Sequence, residues 1–415
     1  MAMTLDGIDL SDWDFWARPP AERHAAFAAL RRLPAPAFFE EQDIKVVPRG
    51  PGYYALVTHA DVIEASRRPA DFCSGKGAVN IPDMPPDMNE YFGSMISMDD
   101  PRHAHIRRIV SRAFSPRMIQ RFEDQVQTVA ARIVDEILAD GPSDFVPQVA
   151  ARLPLKIICD MMGIPESAYQ TVFESSNIIL AGADPELTPS DDYIEVAGQL
   201  LVAGQAIKDI VEDLGRFRRG NPTDDLTSAL VNANIDGESL TDQELGSFFI
   251  LLAVAGNETT RNAIAHGLHL FTANPGQREI LIADFERHIP GAVEEIVRYA
   301  SPVIWMRRTA TRDTEINGNP FRAGDKLVLY YWSANRDETV FDRPDVFDIT
   351  RDPNPHVGFG GPGPHFCLGA HLARREITVM FRELFTRVPG VRATGEPDRL
   401  LSNFINGIKR LPYDV

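Results

Sequence analysis

The run from Thr241 to Asn274 limits the choice of fold more than any other part of this sequence. Thr241-Asp-Gln-Glu244 has the form of a capping box, in which the threonine hydroxyl and the glutamate carboxylate each satisfy an amide that the first turn leaves open. No proline follows until Asn274-Pro275, so the spacing predicts one helix of about 32 residues, nearly 50 Å long at roughly 1.5 Å per residue. Phe248 to Ala255 is apolar on every face, and such a helix has to run through the interior with other elements packed all round it. Inside it lies Ala255-Gly-Asn-Glu-Thr-Thr260. A glycine in mid-helix costs on the order of 1 kcal/mol, and a buried Glu or Thr needs partners. Two explanations stand side by side. Gly256 permits close helix packing, with Thr259 bonded back to a carbonyl and Glu258 ion-paired; or the helix is loosened beside a ligand and Glu258 and Thr259 work on it.

A second stretch, Phe359-Gly-Gly-Pro-Gly-Pro-His-Phe-Cys-Leu-Gly369, cannot be a helix or a central strand, because glycine takes positive φ freely and proline removes amide donors. Ile377, Met380, Phe381, Leu384, Phe385 and Val388 then recur at helical spacing, which puts Cys367 at or just before a helix N-terminus. Exposed amides and the helix dipole there favour a thiolate.

Glu295-Ile-Val-Arg298 places an acid and a base on one helix face, and His103 and Arg107 stand one turn apart after Asp99-Asp-Pro. Pro20 to Leu33 reads as a helix, Tyr53 to Val57 as a strand, and Thr58 as the cap of a helix through Ser66. Ser74 to Met98, with three prolines, three glycines and four methionines, reads as a long loop and a candidate substrate lid. Ser115-Pro116 opens another helix, and helical runs continue to Leu214 with breaks at Pro154, Pro165 and Gly182-Ala-Asp-Pro185. Val328 to Trp332 reads as a strand, and Asn335 to Phe347 as an irregular approach to the cysteine loop. The expected class is mainly α with small β-sheets (α+β), and with no linker-like segment the whole chain, 1–415, forms one domain.

A net charge of −17 argues against a nucleic-acid-binding surface. Cys73, Cys159 and Cys367 form no CxxC pair, so neither a disulfide framework nor a zinc cluster is indicated, and a reducing compartment follows. No run of 18 apolar residues and no signal peptide occurs, which places the chain in the cytoplasm without a membrane span, as a monomer.

Cys367 with His365 at minus two, Gly363 at minus four and Gly369 at plus two, and with Phe359-Gly further upstream, resembles the haem-ligand loop of the cytochrome P450 superfamily. Phe359 lies eight residues before Cys367, where the commonest signature has seven, so the loop carries one extra residue between Phe359 and Gly363. Ala-Gly-x-Glu-Thr ahead of it resembles the oxygen-activating acid–alcohol pair, and His-x-x-x-Arg, Glu-x-x-Arg and Arg308 match further motifs in the family's order, with Arg307 the alternative to Arg308. Glu90-Tyr-Phe-Gly-Ser-Met and Cys159-Asp-Met-Met-Gly-Ile-Pro look like the mycobacterial branch that oxidises sterol side chains and methyl-branched lipids.

The resemblance implies a triangular single-domain monooxygenase holding haem b with the Cys367 thiolate as axial ligand. It assigns His103, Arg107, Arg308 and His365 to the haem propionates, with Phe359 and Gly369 beside the cofactor, and Glu258 and Thr259 to proton delivery. O2 is the co-substrate, and electrons come from NAD(P)H through a ferredoxin reductase and a ferredoxin, docked on Arg107, Arg108, Arg112, Arg374 and Arg375. Ile96, Met98, Val254, Ala255, Val303 and Phe404 are the expected substrate lining, for terminal hydroxylation of a branched fatty acid, isoprenoid or sterol chain. A peroxygenase or isomerase of the same fold, or a haem-thiolate sensor, shares the ligand loop without needing Glu258 and Thr259. A cysteine hydrolase needs a histidine better placed than His365.

Overall fold

The computed structural model describes residues 7–44, 47–113, 116–181, 184–188, 190, 192–233 and 239–415, the side chains of 116–121 aside. Ser115, Gly182 and Ala183, where a helix start and a break were expected, lie outside the described residues.

The long helix Asp242–Ala273 forms as its caps dictate: the Thr241 hydroxyl accepts from the Glu244 amide at 3.1 Å, and the Glu244 carboxylate accepts from the Thr241 amide at 3.0 Å. Among the described residues, Pro86–Gly93, Arg152–Met162, Tyr169–Leu180, Tyr193–Gly220, Phe285–Ala300 and Ala370–Arg387 are helices that pack against it. Its two halves serve different cores. Leu245 to Val254 sits among Ile158, Met161, Ile207 and Val211, whereas Ala263 to Phe271 sits among Ile296, Phe381 and Leu384. Ala255 to Asn262 falls between those apolar bodies, and it is there that the helix can tolerate polar groups and border a cavity.

One five-stranded sheet runs in the order Ala37–Phe39, Tyr53–Leu56, Lys326–Tyr330, Trp305–Ala310, Phe72–Cys73, with only the Tyr53–Leu56 and Lys326–Tyr330 pair parallel. The helix Pro20–Arg31 covers one of its faces through Phe27, packed on Tyr330 and Trp332. Three two-stranded sheets complete the β-structure among the described residues. No helix of the described residues is long and apolar enough to cross a membrane.

Three local expectations are corrected. Ser74 to Met98 is only half loop, because Pro86–Gly93 is a helix and Ser94–Ser97 a 3-10 turn. Pro86 begins that helix instead of preventing it, since an amide at N1 has no intrahelical partner anyway. For the same reason Pro154, near the start of Arg152–Met162, does not break its helix. The last strand of the sheet is Lys326–Tyr330, and Tyr331–Ala334 turns helical where the Ser333 hydroxyl bonds to the Val57 carbonyl at 2.8 Å.

Glu295 and Arg298 are wholly buried on Phe285–Ala300 and joined by two bonds of 2.7 Å. Arg298 also donates to the carbonyls of Asn335 and Pro344, each at 2.8 Å, and Glu295 accepts from the Asp348 amide at 2.9 Å and from Asn354 Nδ2 at 3.1 Å. This pair therefore anchors the irregular chain that delivers the cysteine loop.

Candidate active site

The loop around Cys367 is closed by its own backbone, with the Cys367 amide donating to the Phe359 carbonyl at 3.0 Å. Gly363 has φ +153°, and a Cβ there would stand 2.3 Å from the Ser66 carbonyl oxygen, so the loop lies directly on the end of the helix His59–Arg67. That approach is what requires glycine at 363. Phe359 lies beneath the Arg374 guanidinium, 4.4 Å from it, and still reaches the cavity despite the extra loop residue.

Ala370–Arg387 begins immediately after Gly369, and the amides of Gly369 and Ala370 are directed to the Cys367 sulfur. Burial nevertheless pushes this thiol up, and those amides, Arg107 and Arg374 pull it back only partly. The helix terminus thus favours the thiolate as expected, acting against the cost of burial, and a cation held at the sulfur would favour it further.

A cavity of about 440 Å³ joins the cysteine loop to the long helix. Cys367, Phe359, His365 and Gly369 border it from the loop, and Ala255, Gly256, Thr259 and Thr260 from the helix. Ile96 and Val303 line it as expected. Met98, Val254 and Phe404 do not. Met98 and Val254 turn into the core beside Ile158, and Phe404 packs edge-on to Trp305 with ring centres 4.9 Å apart. In their place stand Met95, Ile158, Met161, Phe248 and Leu252. Ile158 directly precedes the Cys159-Asp-Met motif and Met161 belongs to it, so a signal was there; nothing in the sequence distinguished Phe248 from its buried neighbours.

Every part of the packing explanation for Ala255 to Thr260 is realised. A Cβ at Gly256 would stand 2.9 Å from Ile158 Cδ1, and the Thr259 hydroxyl donates to the Ala255 carbonyl at 2.8 Å. Glu258, 1% exposed, pairs with Arg261 and accepts from Asn262 Nδ2 at 3.1 Å. Gly256 and Thr259 also face the cavity, whereas Glu258 lies behind it with Oε2 unpartnered. The two explanations are thus compatible at Gly256 and Thr259.

His103, Arg107, Arg308 and His365 meet at one edge of the cavity. His103 and His365 lie with ring centres 4.3 Å apart, and His365 Nε2 meets the Ser74 hydroxyl at 3.1 Å. His103 Nδ1 is 3.4 Å from Asp100, but its buried Nε2 has no partner. Arg107 Nη2 donates to the Phe366 carbonyl at 2.7 Å and Arg308 Nη1 to the Arg307 carbonyl at 2.8 Å. Burial, then the charges of Arg308, His103 and Arg107, pull His365 down to about 2. An orphaned ring nitrogen among crowded cations is the complement of buried carboxylates, and a thiol at the same cavity is a soft iron ligand, so these residues fit haem and its two propionates. Arg307 is the wrong candidate: it points away, to Asp83 at 2.6 Å and to the Ile81 carbonyl at 2.9 Å.

Residues 202–388 match the family model described as cytochrome P450. Over 98% of its length, and 94% of the relative's, the chain is 50% identical to a methyl-branched lipid omega-hydroxylase of Mycobacterium tuberculosis. The chain belongs to the cytochrome P450 family. It is also 42% identical to a steroid C26-monooxygenase of Mycolicibacterium smegmatis, over 88% of this chain and 83% of that one. A solved Mycobacterium marinum cytochrome P450 in complex with pseudoionone superposes with a TM-score of 0.93 at 41% identity, covering 99% of both chains. The P450 described here is accordingly a haem-thiolate monooxygenase that uses O2 and takes its electrons from redox partners.

Proposed function

We propose that this P450 is a single-domain, cytoplasmic ω-hydroxylase of methyl-branched fatty acids or of the branched side chains of sterols, served by a ferredoxin. The names of its relatives support that substrate class. The observation that carries the regiochemistry is the wall formed by Met95, Ile96, Ile158, Met161, Phe248 and Leu252, which is apolar throughout and meets only the hydroxyls of Thr259 and Thr260 on the long helix. Along that wall a carboxylate or sterol hydroxyl has no partner, and His103, Arg107, Arg308 and His365 at the other edge are assigned to the propionates, so an apolar chain end is what the wall receives.

Haem bound at Cys367 supplies the activation of dioxygen and the insertion of one oxygen atom into a C–H bond. His103, Arg107, Arg308 and His365 hold its propionates. The apolar wall orients the chain end and excludes bulk water. Thr259 keeps its oxygen lone pairs available to a cavity water while its hydroxyl donates to the Ala255 carbonyl, and Glu258 behind it relays protons through water when it turns from Arg261 and Asn262. Thr259→Ala is expected to retain haem and lipid binding while product formation falls on the order of a hundredfold, with NAD(P)H oxidation diverted to peroxide. Unchanged product per electron pair in that variant removes Thr259 from proton delivery.

Of the five arginines expected at the redox surface, Arg107 turns inward to Phe366, Arg375 borders the cavity and Arg374 is committed to Glu294 at 2.5 Å. Arg108 and Arg112 are exposed on the helix Arg102–Ala113, and that face is the one an acidic ferredoxin meets. Titration of the haem-loaded protein with methyl-branched acids, straight-chain acids and sterols is expected to give the low-to-high spin shift with the branched ligands. Turnover with ferredoxin, its reductase and NAD(P)H then follows. No spin shift with any branched lipid overturns the substrate class, and turnover with peroxide alone makes the protein a peroxygenase.

A further inference from the structure

Away from the cavity, the helix Pro20–Arg31 carries Arg23 and His24 against Trp332, where they meet Arg336 and Arg399. His24 stacks on the indole with ring centres 3.9 Å apart, and the guanidinium carbons of Arg23 and Arg336 stand 5.2 and 5.6 Å from it. Arg23 is 6% exposed and Arg336 3%.

Their hydrogen bonds do not add up. Arg336 donates Nη2 to the Tyr299 carbonyl at 2.8 Å, but its Nε and Nη1, and Arg23 Nε, are buried with no hydrogen-bond partner. The nearest carboxylates are spent or peripheral. Asp345 is 3.6 Å from Arg336 Nε, beyond hydrogen-bonding range, and largely in solvent; Glu338 is taken by Arg31 at 2.8 Å; and Glu396, which acts on Arg399 and His269, is exposed. Burial, reinforced by Arg399, pulls Arg23 down to about 10, and burial pulls Arg336 down to about 10.

Several other buried cations of this protein have their acids: Arg298 has Glu295, Lys326 has Glu41 at 2.7 Å and Arg307 has Asp83, while Arg308 is one of the four groups that fit the haem propionates. A chain with a net charge of −17 has no shortage of carboxylates. Yet here three guanidiniums share a single carboxylate in ion-pair range, Asp345, which is 3.6 Å from Arg336 and largely in solvent. An uncompensated buried charge is costly, and cation–π contact with Trp332 and Tyr299 offsets only part of it. Planar guanidinium forks match the oxygens of a tetrahedral or planar oxoanion.

We propose that Arg23 and Arg336, both against Trp332, form with nearby Arg399 a binding site for a small oxoanion, separate from the haem cavity. The site connects to that cavity through one backbone bond, because the Trp332 amide donates to the Ile304 carbonyl at 3.1 Å and Ile304 adjoins Val303 in the cavity wall. An anion there fixes the seat of Trp332 and, through it, the position of Val303.

The test is thermal unfolding of the haem-loaded protein in phosphate, sulfate, acetate and chloride at matched ionic strength. Phosphate is expected to raise the midpoint saturably, by about 3 °C or more over chloride, because a ligand bound only to the folded state stabilises it. Acetate rising alone identifies a carboxylate as the ligand class. Arg399→Gln, which changes a half-buried side chain and leaves the interior packed, is expected to fold and to weaken the effect at least about tenfold in phosphate concentration. Equal midpoints in all four salts overturn the proposal, as does an anion effect that Arg399→Gln and Arg23→Gln both leave unchanged.

Discussion

Cys367→His is expected to abolish the red-shifted Soret band of the ferrous carbon monoxide complex and to reduce oxygenation to background, while any haem retained shows a nitrogen-ligated spectrum. The thiolate supplies the electron push that favours O–O cleavage, and imidazole does not replace it. The other cysteines cannot substitute. Cys73 is buried in a sheet strand, and Cys159 is wholly buried, its thiol pushed up to about 12 by burial and then by Asp160. A persisting thiolate-type spectrum in the variant therefore removes Cys367 as the ligand, since no other thiol borders the cavity among the described residues. The same measurement on Arg107→Gln separates charge from ligation, because Arg107 bears on the sulfur only electrostatically and that variant should keep the red-shifted band.

Glu295→Ala is expected to destabilise the protein by about 3–5 kcal/mol, the usual cost of leaving one member of a buried ion pair alone. Arg298 is 0% exposed, so no water can take over from the lost carboxylate. The damage should also be directional. Glu295 holds the Asp348 amide and Asn354, and Arg298 holds the carbonyls of Asn335, Pro344 and Val346, all on the chain leading into the cysteine loop. Haem occupancy should fall ahead of global unfolding in a denaturant titration followed by both Soret absorbance and far-ultraviolet circular dichroism. Glu295→Gln, able to keep some of the hydrogen bonds, should fall between the variant and the native protein. Coincident transitions with a loss under 1 kcal/mol, the range of an exposed pair, refute an anchoring role for the buried one.

What could be read from residues alone was whatever depends on local chemistry. The capping box at Thr241, the uninterrupted run to Asn274, the glycines and prolines ahead of Cys367 and the Glu295–Arg298 spacing all specify structure within a few turns of themselves, and each forms as written. The resemblance carried by those same motifs also reached the family and the haem edge, because ligand chemistry restricts residue type and spacing together. Side-chain direction across the cavity was not legible in this way. Met98 and Val254 are as apolar as Met95 and Ile96, and only the packing of Pro86–Gly93 and Arg152–Met162 against the long helix turned the first two into the core and left Ile96 at the cavity. Glu258 likewise faced two outcomes, and the nearness of Arg261 and Asn262 on the next turn drew it behind the wall. The meeting of Arg23 and Arg336 on Trp332 joins two segments some three hundred residues apart, and no periodicity could announce it. Local spacing decides which elements exist and which residues they present together. Which of two equally apolar or equally charged faces meets a ligand is settled only when distant elements compete for the same buried volume.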